Sequence, residues 1–492
     1  MRGRHLRLGI VVVFACGGGS GDASSEGLTT AVDTGGPTGM EPTSTSAGAT
    51  GSTSVTTQGA SGETTEASGS GETTTMTPTS DGSTTGDSTT GGPDPAGPCP
   101  AFAPPAGEVI AVTPEQAGDL ANIVAGAATG TTISLADGTY AVTTLLHFTT
   151  PGVTLRSASG DRDAVVLDAN YAVGEIALVG ASDVTIADLT LARAFYHPIH
   201  VTGAAGSDTE GMRIYNVKVI DPGQQAIKVN PSPEGFYSDR GSVACSWIEL
   251  TDAGRPQIKD NCYTGGVDAH AAWGWEIRDN FIKGFWCEAG LSEHAVHFWV
   301  TGRDTLVERN VIVDCARGIG FGLGEMGNGN SRAYADDPCP GKSYLGHIDG
   351  IIRNNTVWAA SPGMFASQAG FDSGVALEQA CGAQVYHNTV VSLQQPFTAM
   401  EYRWPNTSAI FTNNLLTHAL KERDGATAAQ AANLVDAGLE HFVDANAGDL
   451  HLAPGSAAIG AGEALAAGLA DEDFEGDARD AMPDVGADER VR

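Results

Sequence analysis

The sequence predicts an all-β fold: a single-stranded parallel β-helix solenoid with a short capping helix at its N-terminal end. Three observations lead there. A short apolar strand carrying asparagine recurs six times, as "IYNVKV" at Asn216, "IRDNFI" at Asn280, "VERNVIV" at Asn310, "IRNNTVW" at Asn355, "VYHNTVV" at Asn388 and "FTNNLLT" at Asn414. Asp188 in "IADLTL" and Trp247 in "SWIEL" read into the same slot, so the steps from 188 are 28, 31, 33, 30, 45, 33 and 26 residues. A period of this size marks a solenoid. The units are short β-branched strands between Gly, Asp, Asn and Pro, which makes the solenoid a β one.

The chain opens with Arg2, Arg4, His5 and Arg7 before the apolar run "LGIVVVFA", which ends at Cys16. A basic start, a short apolar core and a small residue at the cleavage point predict a secretory signal over 1–16. A run this short cannot span a bilayer. Residues 17–98 are almost entirely Gly, Ser, Thr, Ala, Pro and acids. They bury too little apolar surface to offset ordering entropy, so a disordered linker, open to glycosylation, is expected.

The β-helix is expected over 99–465, with an acidic tail or cap over 466–492. Residues 114–127 read as a short amphipathic helix with Leu120, Ile123 and Val124 on one face. Such a helix covers the open end of the stack, which otherwise exposes core and unpaired strand edges. The strands "TISLADGTYAV", "GVTLRSA", "AVVLDAN" and "IALVGASDVTIADLTL" start the coils. Between Phe321 and Leu345 the repeat is interrupted, and the 45-residue step predicts a surface loop inserted into one coil. In the tail, Asp473, Asp477, Asp480, Asp484 and Asp488 could hold calcium, a solvated cap being the plainer reading.

A formal charge of −33 argues against nucleic acid and against docking on anionic membranes. An acidic polymer bound here would need a local cationic patch or a divalent ion. Export permits disulfides. Besides Cys16 the chain has Cys99, Cys245, Cys262, Cys287, Cys315, Cys339 and Cys381. Cys245–Cys262 and Cys339–Cys381 are plausible pairs around long turns, and Cys287 and Cys315 could stack or bond on adjacent coils. An odd count leaves one thiol free.

Each coil also has a later strand: "HPIHV" at 197, "AIKVN" at 226, "GVDAH" at 266, "AVHFW" at 295, "GIGFG" at 318 and "GVALE" at 374. Strand side chains alternate between faces. Turning Ile199, Ile227, Val267, Val296, Ile319 and Val375 inward points His200, Lys228, Asp268 and His297 outward, followed by Gly320 and Ala376. Asn230, His270, Trp299 and Glu378 make a second outward column. Neighbouring strands lie about 4.8 Å apart, so these groups are expected side by side in solvent, as a cleft floor. Five of the seven tryptophans, Trp247, Trp273, Trp275, Trp286 and Trp299, fall within about fifty residues of this region. Trp247 is expected to pack in the core; the turn residues Trp273, Trp275 and Trp286 could be buried or offer faces for sugar rings.

"ISLADGTY", the further short strands and the asparagine coils together resemble the right-handed parallel β-helix of the pectate-lyase-like superfamily, and within it chondroitinase B-like and alginate-lyase-like chains. The resemblance spans roughly 107–460 and implies that the asparagines form a hydrogen-bonded ladder. It also implies breakdown of an acidic, uronate-containing polysaccharide by β-elimination, in which the sugar carboxylate is neutralised and a base takes the proton alpha to it. Lys228 beside Asp268 would neutralise the carboxylate, with Asn230 assisting. His270 or His297 would be the base, oriented by Asp268. His200, Trp299 and Glu378 would line the substrate. The related lyases pair a lysine with an arginine on the next coils, and here only Arg255 and Arg317, in nearby turns, might reach in. The paired aspartates and Gly-His-Gly signature of pectin hydrolases are absent.

Val13-Phe14-Ala15-Cys16 resembles a bacterial lipobox, which implies lipidation at Cys16. With no Asp following it, anchoring at the outer membrane and cell surface is implied; ordinary secretion is the alternative. A monomer is expected. Calcium is a possible cofactor, and Glu293, His294, His297, Asp268 and His270 could together bind a transition metal. The floor can therefore be read as catalytic, as a non-catalytic carbohydrate-binding or adhesive surface, or as purely structural.

Overall fold

In the computed structural model, residues 99–324, 332–342 and 344–490 are described. The leader, Cys16 and the linker lie outside them. The remainder is a right-handed parallel β-helix. Each coil visits three parallel sheets in turn, for example through Thr185–Ala187, Thr190–Ala192 and His197–Thr202, before the chain returns to the first sheet at Arg213–Tyr215. Return of a parallel strand to its own sheet takes the right-handed sense almost without exception.

The helix expected over 114–127 is present in two parts, a 3₁₀ segment Pro114–Asp119 and an α-helix Leu120–Gly126. Pro114 starts it, where a missing N–H costs nothing. Leu120 and Val124 are buried against the first coils and Ile123 is half-buried.

At the corner between the first and second sheets, the coils share a residue in the left-handed region. Asp188, Asn216, Cys245, Asp279, Arg309, Asn354, His387 and Asn413 hold φ between 48° and 62°. The next position is the ladder. Asn280 donates to Asn310 Oδ1 at 2.9 Å, Asn310 to Asn355 at 2.9 Å, Asn355 to Asn388 at 2.9 Å, Asn388 to Asn414 at 3.0 Å and Asn414 to Asn433 at 2.8 Å. Two expectations need correction. Asn216 and Asp188 are corner residues, bonded to each other at 2.8 Å, one position before the ladder. Trp247 does not fill the slot either: Ser246 does, taking the Val217 N–H and receiving Asn280 Oδ1 on its own N–H. Trp247 stands half-buried on the second sheet with its ring 4.1 Å from Phe281. Asparagine favours both slots, the corner because it tolerates positive φ and the ladder because its amide both donates and accepts. A one-residue slip was therefore invisible in the sequence.

Three disulfides join Cys99 to Cys245, Cys262 to Cys287 and Cys339 to Cys381, and Cys315 is a buried free thiol. Cys339–Cys381 is as expected and clips the inserted loop. Cys245 pairs with the entering segment rather than with Cys262, because as a corner residue it sits beside Pro100, whose carbonyl accepts the Tyr215 hydroxyl at 2.5 Å.

The last parallel strand is Thr427–Ala431, and one further parallel bridge follows at Leu434. A hairpin, Phe442–Asp444 with Asp449–Leu452, then packs with Val485 and Ala458 on Val391 and Leu415. The tail acids are not simply solvated. Asp473 accepts the N–H groups of Glu475, Gly476, Asp477 and Glu489, Asp484 those of Gly460 and Arg490, and Asp488 that of Leu452.

Candidate active-site floor

The third sheet carries the outward column. Its register pairs His200 with Lys228, Lys228 with Asp268, Asp268 with His297, His297 with Gly320 and Gly320 with Ala376. Ile199, Ile227, Val267, Val296, Ile319 and Val375 fill the tube behind it. The β-branched residues and the strict alternation allow only this register, because a one-residue slip would bury the charges.

Side by side does not mean in water. The side chains of Lys228, Asp268 and His297 are 9%, 0% and 0% exposed, while His200 and His270 keep 20% and 22%. The expectation of four groups protruding into solvent is therefore corrected. The column lies outside the tube but beneath a cover, and only its edge is open. The cover comes from the segment closed by Cys262–Cys287, which brings in Tyr263, and from Glu293 and His294 just before the next strand.

At the open edge Lys228 Nζ lies 2.5 Å from Asp268 Oδ2, 3.1 Å from the Tyr263 hydroxyl and 2.9 Å from His270 Nε2. The Tyr263 hydroxyl also lies 3.1 Å from the same Asp268 oxygen. Trp299 Nε1 donates to the other, Oδ1, at 2.6 Å. Burial would raise the Asp268 carboxyl, but Lys228, His270 and His297 outweigh it and hold Asp268 well below the usual carboxylate range. His270 is pushed below its ordinary value by burial and by Lys228, so its imidazole is neutral at pH 7. Burial and the carboxylates of Asp268 and Glu293 push Tyr263 up, keeping its hydroxyl protonated. His200 Nε2 meets Asn230 Oδ1 at 2.5 Å, and its Nδ1 lies 3.5 Å from Glu175.

His297 behaves otherwise. Its Nδ1 lies 2.8 Å from Glu293 Oε2 and its Nε2 2.9 Å from the Gly322 carbonyl. Two acceptors on two ring nitrogens require both to carry hydrogen. Although burial opposes it, Glu293 and Asp268 raise its pKa. A buried imidazolium cannot accept a proton, so His297 is withdrawn as a base. His294, neutral because burial pushes it down to about 3, lies with its ring centroid 4.3 Å from that of His297. Neither of its ring nitrogens has a hydrogen-bond partner among the described residues.

The remaining residues fall outside the cluster. Trp299 is buried and stacks on His297 at 5.2 Å, so it holds Asp268 instead of offering a face to a sugar. Trp275 and Trp286 are buried too, and Trp273 is half-buried. Glu378, two strands beyond Trp299, accepts the Gly324 N–H and lies 3.9 Å from Arg403. Arg317 pairs with Asp372 at 3.0 Å. Arg255 does not reach in. It bonds the carbonyls of Gly284 and Trp286 at 2.8 and 2.7 Å, stacks on Trp286 at 3.6 Å, and lines a separate cavity of about 630 Å³ that contains none of the floor residues. Tyr263 was missed, since a loop position carries no periodic signal and only the neighbouring Cys262 hinted that the segment is tied down.

No protein-family model matches the chain, and no curated protein does. Among solved structures it is similar to a pectate lyase, Pel9A, at 14% identity and a TM-score of 0.46, covering 78% of this chain and 97% of that one. An alginate lyase from Paenibacillus sp. str. FPU-7 matches at 16% identity and a TM-score of 0.44, covering 65% and 98%. PfbA, a surface adhesin of Streptococcus pneumoniae, matches at 12% identity and a TM-score of 0.40, covering 65% and 87%. Structures similar in fold thus include polysaccharide lyases and an adhesin, and identities this low say nothing of the chemistry at the floor.

Proposed function

We propose that this chain cleaves an acidic, uronate-containing polysaccharide by β-elimination at the Lys228–Tyr263–His270 edge. The observation that carries the reading is the meeting of an ion-paired amine, a neutral imidazole and a protonated phenol within about one side-chain length, at the one open margin of an otherwise buried network.

The roles follow from what each group can do. The uronate carboxylate docks on Lys228 Nζ, with the Asn230 amide beside it, and draws the amine away from His270 Nε2. That frees the lone pair the amine had engaged. His270 takes the proton from the carbon alpha to the carboxylate, and the electrons of that C–H bond form the ring double bond. The bond from the neighbouring carbon to the glycosidic oxygen breaks, and the leaving oxygen takes its electron pair and a proton from the Tyr263 hydroxyl. Asp268, fixed by Trp299, holds Lys228 and Tyr263 in place. General acid–base groups of this kind contribute about 10²–10⁴-fold each.

Export, lipidation at Cys16 and display at the outer membrane belong to the same proposal, as does a monomeric state. Calcium could assist by neutralising the carboxylate of an acidic polymer near an acidic protein.

The test is to incubate the full chain, with and without calcium, with alginate, pectate and glycosaminoglycans while following ultraviolet absorbance from unsaturated uronate. A rise on one polymer is expected. A second reading, a non-catalytic carbohydrate-binding surface, is favoured by the mutual satisfaction of Asp268, Lys228 and Tyr263, which a structural network also shows. Binding of one polymer without any absorbance change would establish that reading and end the first.

A further inference from the structure

We propose that Glu293, His294 and His297 form a binding site for one transition-metal ion of the zinc class, beneath the floor. Glu293, His294 and His297 each offer one ligand atom within 4.8 Å of the other two. Two imidazoles and one carboxylate are the donor set that zinc and its neighbours take, whereas calcium prefers oxygen alone.

The spacing fits an ion. In a tetrahedral site with bonds of about 2.0–2.1 Å, ligand atoms stand about 3.3 Å apart. His294 Nδ1 lies 3.6 Å from Glu293 Oε2, too far for a hydrogen bond and near that edge length. His297 Nδ1 lies 2.8 Å from the same oxygen, so a shift of about half an ångström opens that edge, and the ion takes the place of the proton that Nδ1 carries in the metal-free chain. Asp268 Oδ1, a further carboxylate oxygen, lies 3.8 Å from His297 Nδ1.

An independent observation points to the same place. His294 is buried, and neither ring nitrogen finds a hydrogen-bond partner among the described residues. A buried polar group left without one is destabilising, and an ion at Nδ1 removes half of that anomaly. The ring is also deliberately seated. A Cβ on Gly320 would stand 2.6–2.8 Å from its atoms, and one on Gly265 would stand 2.7 Å from the His294 carbonyl and 3.0 Å from Glu293 Cβ. Two glycines, on the strands that flank Val296–Trp299, thus make the space that the Glu293–His294 pair occupies. The inference does not depend on the lyase reading; an ion here would fix His297 and, through it, Asp268.

The tag-free full chain, stripped with chelator and titrated with Zn²⁺ alone, is expected to take up about one equivalent that H294Q loses. E475Q, altered in the partly exposed His451–Glu475–Asp488 group near the C-terminus, is expected to retain it. Cobalt-loaded wild-type chain is expected to show ligand-field bands of a four-coordinate site, and X-ray absorption two imidazoles in the first shell. The cobalt measurement needs no variant to fold. No uptake by wild type, an equivalent lost in E475Q but kept in H294Q, or a cobalt spectrum without imidazole ligands would each overturn the proposal.

Discussion

At the residue scale the two histidines that looked alike in the sequence are opposites. His270 and His297 lie on adjacent strands, and both alternate outward. What separates them is Glu293, which arrives from the turn and holds His297 as a cation, while Lys228 and burial keep His270 neutral. No pattern within the strands could show this, because the deciding carboxylate lies four residues upstream in a non-repeating segment. The kinetic expectation differs accordingly. H270A should lower kcat on the cleaved polymer by about 10²–10⁴-fold. K228A should act largely through KM, having lost the carboxylate contact. The ascending limb of kcat/KM against pH should fall below the ordinary imidazole range, since His270 gives up its proton more readily than a free histidine. A limb above that range, or unchanged kcat in H270A, would remove His270 as the base.

At the element scale the corner and the ladder share a preference for asparagine but not an energetic role. Asn310 sits in mid-ladder, accepting the Asn280 N–H and side-chain amide and donating to Ile277 O, Glu308 O and Asn355 Oδ1. N310A leaves several buried groups unpaired, each costing about 1–3 kcal/mol. Denaturant unfolding should show a loss of about 3 kcal/mol or more, or failure to fold. N216G, at a corner with φ of 48° and a half-exposed side chain, should cost about 1 kcal/mol or less, because glycine accepts that φ without strain. Equal costs would mean that the one-residue distinction between the two slots is wrong. The coil period and the third-sheet register were legible because aliphatics must fill a tube and a slip exposes them. Two of the three disulfides, Cys99–Cys245 and Cys262–Cys287, and the cover over the floor were not, since turns of unequal length carry no period.

For the molecule as a whole, the buried histidines set a pH limit. His197, His294, His347 and His387 are each driven down to about 3, in every case chiefly by burial. Their folded values lie below the unfolded one, so the unfolded chain binds more protons. Stability is therefore fully present above about pH 6.5 and is lost as pH falls toward 3, at up to about 1.4 kcal/mol per pH unit for each of them. His297 and His451, raised, work in the opposite direction, against these four and the lowered His270 and His418. Urea midpoints should fall from pH 7 to 5, with carboxylates that burial raises, such as Glu401 and Asp488, opposing only part of the fall; a flat profile would contradict this burial. The central claim is tested at the Lys228–Tyr263–His270 edge. The decisive measurement is the ultraviolet signal of unsaturated uronate when the intact chain meets alginate, pectate or a glycosaminoglycan: a rise with wild type that H270A abolishes is expected, and either silence on every polymer or a rise that H270A leaves intact would contradict it.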